Sequence, residues 1–138
     1  MTIETWRLEF YPTEARDATG TELEAAQHSL RKWQGMTEVN LAKHGLRRVR
    51  HELMPNDPLQ GGKAFSQIDA RYCALCERHP GNCGGCALYE ARGDVFCDRT
   101  TPDETVSPWH DTYNPGDAPI LRMVKELEAA VDYAEANQ

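Results

Sequence analysis

The stretch Cys73-Ala74-Leu75-Cys76, followed after six residues by Cys83-Gly84-Gly85-Cys86, decides how this chain is read. Two C-x-x-C pairs fall within fourteen residues, and a fifth thiol, Cys97, comes eleven residues later. A C-x-x-C turn lets two thiolates face one point, and two such turns complete a tetrahedron around Zn2+. In a small domain the bound metal supplies folding free energy directly, since the unfolded chain holds no preformed site. Between Ser66 and Asp98 the apolar residues are too scattered to build a core of their own.

The spacing therefore predicts a structural zinc site with Cys73, Cys76, Cys83 and Cys86 as ligands. Cys97 stands as one substitute ligand, because the six-residue gap is short for a zinc ribbon. His79 is another, completing a compact C-x-x-C-x-x-H. An iron–sulfur cluster takes the same four thiolates and spacing does not exclude it. Zinc is preferred because no partner redox motif is visible.

Other chemistries fit less well. A zinc deaminase needs H-x-E and a later P-C-x-x-C, but His51 and Glu52 are adjacent and Asn82 precedes Cys83. No H-E-x-x-H occurs. Cys83-Gly84-Gly85-Cys86 has the dithiol spacing of a redox pair, but it lacks the preceding buried strand and has a second pair close by. Four thiolates leave a metal no open position, so no catalytic residue is assigned and the reading leans away from an enzyme. His110 and Asp111 follow Trp109 with no nucleophile beside them, and Gly61-Gly62-Lys63 lacks the spacing of a phosphate loop.

The 138 residues fit a single domain, 1–138, long enough to bury a core and short enough for a metal to matter. The absence of an opening signal segment or a membrane-spanning apolar run points to a reducing cytoplasm with no membrane partner, where thiols ligate metals rather than pair. The net charge of −7 opposes an unspecific grip on phosphate. The segment from His28 to His51 runs the other way, with Arg31, Lys32, Lys43, Arg47, Arg48 and Arg50 against Glu38 alone. That basic patch suits nucleic acid or an acidic protein partner; the plainer reading is a solvated face paired with the protein's own carboxylates.

The rest of the chain reads as α+β: a small antiparallel sheet with helices and a zinc-stapled, loop-rich region. Alternation of Trp6, Leu8 and Phe10 predicts a strand over Ile3 to Tyr11. Thr21 and Glu24 form a capping box ahead of a helix from Glu22 to Gln34, whose apolar face is Leu23, Ala26, Leu30 and Trp33. A short helix follows over Thr37 to His44. Leu46 to Leu53 reads as a weak strand that pairs with the first, giving a strand-helix-helix-strand half over 1–53. Met54 to Ala64 is a loop or linker and 66–98 is the cysteine region. A final helix over 117–136, capped by Asp117 with Pro119 in its first turn, carries the stripe Ile120, Val124, Leu127, Val131 and Ala134.

Some of these residues form a recognisable combination. Gln27-His28-Ser29-Leu30-Arg31-Lys32-Trp33, the two cysteine pairs, Gly93, Cys97 and Ser107-Pro108-Trp109 ahead of an acidic helix resemble a group of uncharacterised small cysteine-rich proteins of bacteriophages and prophages. Here Ala87 replaces the proline that commonly follows the second pair in that group. The resemblance implies a phage origin, a bacterial host cytoplasm and five cysteines belonging to one site region. The first expectation is a non-catalytic interaction protein acting on a host or phage protein; nucleic-acid binding and a metal-dependent enzyme are the alternatives.

Overall fold

The computed structural model describes residues 2–50, 52–57, 65–66 and 72–138. His51, most of the Met54–Ala64 loop with its Gly61-Gly62-Lys63, and residues 67–71 lie outside them. The architecture is α+β, with seven α-helices and one small antiparallel sheet among the described residues.

The chain opens with a helix, α1, over Ile3–Phe10, where alternation had predicted a strand. Thr2 and Thr5 cap it reciprocally, side chain to backbone, which satisfies orphan N–H groups that a strand would have to pair elsewhere. Trp6 and Phe10 are buried four residues apart, while Leu8 is 73% exposed. Trp6 and Phe10, four residues apart, fit either period, whereas Leu8 fits only the strand; the capping threonines decide for the helix and leave Leu8 on its outer face.

Helix α2 spans Glu22–Gln34, with the Thr21 side chain accepting the Glu24 N–H at 3.0 Å. Its buried face is Ala25, Ala26, Ser29, Lys32 and Trp33, shifted from the expected stripe toward small residues. Small side chains let two helices approach: α2 packs against α4 (Ala74–Arg78) and against α7 (Ala118–Ala136). Helix α7 buries Ile120, Met123, Leu127, Ala130 and Ala134, and it also packs against α5 (Ala87–Ala91). At the other end of α2, Trp6 Nε1 donates to the Gly35 carbonyl at 2.8 Å. A Cβ on Gly35 would overlap the Phe10 ring, so α1 crosses the end of α2 only because that residue has no side chain.

Helix α3 covers Glu38–Ala42. Asp117 occupies the N-cap position of α7 but caps nothing in its own helix; its Oδ1 instead accepts the Glu38 N–H at 2.9 Å, tying α3 to α7. Leu46–Val49 (β1) and Glu52–Pro55 (β2) form a tight hairpin, and Phe65–Ser66 (β3) adds at the far side of β2. Leu46 to Leu53 is therefore two strands folded back on each other, with Arg50 at φ 56 in the turn. The predicted pairing with Ile3 to Tyr11 is overturned, because that segment's backbone groups are spent within α1. The N-terminal half runs helix-helix-helix-hairpin.

The segment before α6 (Pro108–Asp111) is held by ion pairs rather than by secondary structure. Glu104 takes Arg92 at 2.9 Å and Arg122 at 2.7 Å, Arg92 also meets Glu126 at 3.2 Å, and Arg122 meets Asp111 at 3.1 Å. The Arg92 side chain is only 3% exposed, so its charge depends on these carboxylates. Hydrogen bonds from Arg92, the Thr101 N–H and Arg122 hold the Glu104 carboxyl down at about 2, against an ordinary value of 4.5.

Two outcomes follow from this packing. Gly35→Ala forces the Phe10 ring aside and costs about 1–3 kcal/mol, read as a fall of several degrees in Tm. The Glu104 network is fully stabilising above pH 4.5 and is lost as pH falls from there toward 2, since a depressed carboxyl pKa favours the folded state only while the carboxyl is ionised. Acid titration of stability should therefore show a steeper limb in the wild type than in Glu104→Gln, with Glu104→Gln less stable at neutral pH by about 1–3 kcal/mol.

Candidate metal centre

Each cysteine is placed by a short local structure. Cys73 is the N-cap residue of α4 and Cys76 lies inside that helix. Asn82 accepts the Gly84 N–H at 3.1 Å with its side chain and starts a 3-10 turn over Cys83–Gly85. The turn closes with the Cys86 N–H on the Cys83 carbonyl at 3.0 Å, leaving Cys86 as N-cap of α5. Cys97 sits in the irregular segment beyond α5, where its carbonyl accepts the Trp109 N–H at 3.2 Å.

All five cysteines line one cavity of ≈ 230 Å³, together with Lys32 and Trp33 of α2, Met123 of α7, Asp98, and the rings of Tyr89, Phe96 and Trp109. The cysteine region therefore shares a cavity with residues of both α2 and α7. As the side chains stand, no group of three or more His, Cys, Asp or Glu among the described residues is gathered closely enough to hold a metal ion. The thiols surround a space instead of meeting at a point.

Electrostatics divides the thiols. Cys73 is pulled well below the ordinary thiol range by a hydrogen bond from Cys76, by the Lys32 ammonium and by the Ser29 hydroxyl, 3.7 Å away. Cys76 is pushed up correspondingly, because it donates to Cys73 and faces its charge. Burial pushes Cys86 to about 11 and Cys97 to about 12, and it also raises Cys83. One thiolate is favoured in the cavity, and each further thiolate is opposed by burial and by the negative charge already present. A cation among them removes that opposition, which is the electrostatic reason all-sulfur sites bind metals.

His79 does not line the cavity. Its Nε2 lies 2.6 Å from Glu22 Oε1, and its ring rests against Gly85. Glu22, at the first position of α2, also accepts Arg78 Nε at 2.8 Å and, through Oε2, the Ala87 N–H at 2.6 Å. One carboxylate thus ties the chain after the first cysteine pair to the chain after the second. Sequence reasoning passed over Glu22 because it looked like an ordinary acidic residue in a helix's first turn.

The basic segment is dispersed. Lys32 is 1% exposed, faces the thiol cavity and donates from Nζ to the Tyr72 carbonyl at 2.8 Å, so it belongs to the cavity wall and offers no charge to an outside phosphate. Arg31 donates to the Glu9 carbonyl at 2.6 Å, and Lys43 pairs with the Glu9 carboxylate at 3.0 Å. Arg47 donates to the Pro55 carbonyl at 2.7 Å. Arg48 clamps the turn before α7 through the Thr112, Asn114 and Gly116 carbonyls, and also reaches the carbonyl of Arg50, which is exposed. His110 and Asp111 do not orient each other: His110 Nδ1 meets Ser107 Oγ at 2.7 Å, and Asp111 faces Arg122.

Comparison with known proteins finds no matching family model, no matching curated protein and no matching solved structure. No helix among the described residues is long and apolar enough to cross a membrane.

The Glu22 geometry yields a checkable outcome. Glu22→Ala frees both cysteine turns from α2, lowering stability by about 2–4 kcal/mol and raising the rate of maleimide labelling at Cys83 and Cys86. Glu22→Gln keeps part of the hydrogen bonding and should fall between the two in both measurements.

Proposed function

We propose that the five-thiol cavity is a thiolate metal centre acting as a structural staple, and that the chain is a small non-catalytic interaction protein. The observation that carries this reading is the convergence of thiols from α4, the 83–86 turn and the Cys97 segment on one cavity against α2 and α7. Those three segments contain only short helices, and α4 packs on α2 while α5, next to the second cysteine pair, packs on α7. A metal bound by Cys73, Cys76, Cys83 and Cys86 would join α4 to the 83–86 turn, and with Cys97 in place of one of them it would tie in the Cys97 segment as well, against the wall that α2 and α7 supply. Zinc is the simplest occupant for four thiolates, and its bonds to them supply the folding energy that the scattered apolar residues do not.

The donor set suits this role better than catalysis. Four sulfur ligands close the coordination sphere, and the other polar groups in the cavity wall, Lys32 and Asp98, bring charge rather than an open position. The resemblance to small cysteine-rich phage proteins supports a cytoplasmic setting in a bacterial host, with a host or phage protein as the partner.

Metal analysis of protein purified under reducing conditions tests the reading. The expected result is stoichiometric metal, and removal of that metal by denaturation with a chelator and refolding without it should lower Tm by more than about 10 °C. A metal-free protein with unchanged Tm would overturn it.

A further inference from the structure

Resting on the reading of the chain as an interaction protein, we infer that the open side of the thiol cavity is an aromatic cage for a partner protein's lysine side chain, plain or N-methylated. The first ground is the lining. Tyr89 of α5 and Phe96 lie 5.1 Å apart between ring centres, and Trp109 of α6 borders the same cavity. Leu75, Leu88 and Met123 of the wall are buried, Tyr89 and Trp109 are half-buried, and Phe96 is 44% exposed. Aromatic rings grouped around a half-open cavity attract a cation through their negative faces, and an alkylammonium group also buries its carbon stem among them. One ring of the cavity already serves a cation in this way, since Lys32 Nζ lies 5.2 Å from the Trp33 ring centre on the buried side. No cation of the described residues lies over Tyr89, Phe96 or Trp109.

The second ground is charge. Asp98 also lines the cavity and makes no ion pair among the described residues. The exposed charged residues of 93–103 are Asp94, Asp98 and Asp103 against Arg99 alone. Lys32 does not reverse that sign, because its ammonium is matched by the Cys73 sulfur, and a divalent metal on four thiolates leaves a negative centre. Such a mouth repels phosphates and carboxylates and favours a cation. Asp94 and Asp103 lie outside the cavity lining, so they favour a chain with basic neighbours over a free small ammonium ion. The three rings are not metal donors, and they stay available whichever thiols hold the metal.

The test is titration of the full chain, purified under reducing conditions, with a short peptide whose central lysine is flanked by arginines. Its trimethyllysine and norleucine forms and free choline serve as comparisons, with tryptophan fluorescence as the readout. The expected result is saturable binding of both lysine forms, with the uncharged norleucine form weaker by about 3- to 30-fold. Phe96→Leu and Asp98→Asn, both at exposed positions, should each bring the lysine peptide toward the norleucine value with Tm unchanged, while Phe96→Tyr keeps the preference. Equal binding of the lysine and norleucine forms, or no effect of Phe96→Leu, overturns the cage. Choline bound as tightly as the lysine peptide overturns the protein partner. Metal assayed on the same samples keeps the two readings apart: stoichiometric metal with no lysine preference leaves the staple standing, and a lysine preference in a metal-free protein of unchanged Tm leaves the cage standing without the staple.

Discussion

The contact between α2 and α7 is the interaction on which the remaining structure depends. Ala25, Ala26 and Ser29 give α2 a flat buried face, and Ile120, Met123 and Leu127 are the bulky buried residues of α7, which packs against it. The other helices lean on this pair directly or through a cap, and the sheet packs on α1 and α3. Helices α4 and α5 pack on α2 and α7 respectively, α1 crosses the end of α2 at Gly35, and α3 is capped from the start of α7 by Asp117. Burying a row of such side chains is worth about 1.5–3 kcal/mol for each large one, which exceeds anything the short elements contribute alone.

Polar groups do the fastening where apolar surface is thin. Glu22 holds both cysteine turns, Glu104 and its arginines hold the irregular segment that leads to α6, and Arg48 holds the turn that leads to α7. Each joins segments far apart in sequence, and each is at least partly shielded from water, so these contacts are stronger than exposed ion pairs of the same geometry. The result is a frame in which loops with little packing of their own present five thiols to one cavity.

The cavity shows how a single buried cation changes what a site is suited to. Lys32 lies one turn from Ser29 on α2, and together they face the Cys73 sulfur with an ammonium and a hydroxyl. A helix that packs the core through Trp33 therefore also sets the charge of the thiol site. Core and site share one helix, so a change in either is felt in the other.

The sequence by itself determined the elements whose signals are local. Thr21 and Glu24 marked the start of α2, the 3.6-residue stripe marked α7, and the C-x-x-C spacing marked a cluster of thiols, because capping, periodicity and tight turns act over a few residues. Tertiary structure decided the rest. The alternation of Trp6, Leu8 and Phe10 favours a strand, and the Thr2–Thr5 cap with the seat of Trp6 against the end of α2 makes it a helix and leaves Leu8 in water. Leu46 to Leu53 folds back on itself as the β1–β2 hairpin, while its expected partner is a helix. Lys32 looked like part of a basic face and turned inward, and Glu22 looked like a helix-start acid and became the tie between the cysteine turns. Long-range contacts assign those roles, and no residue within a few positions of Lys32 or Glu22 encodes them.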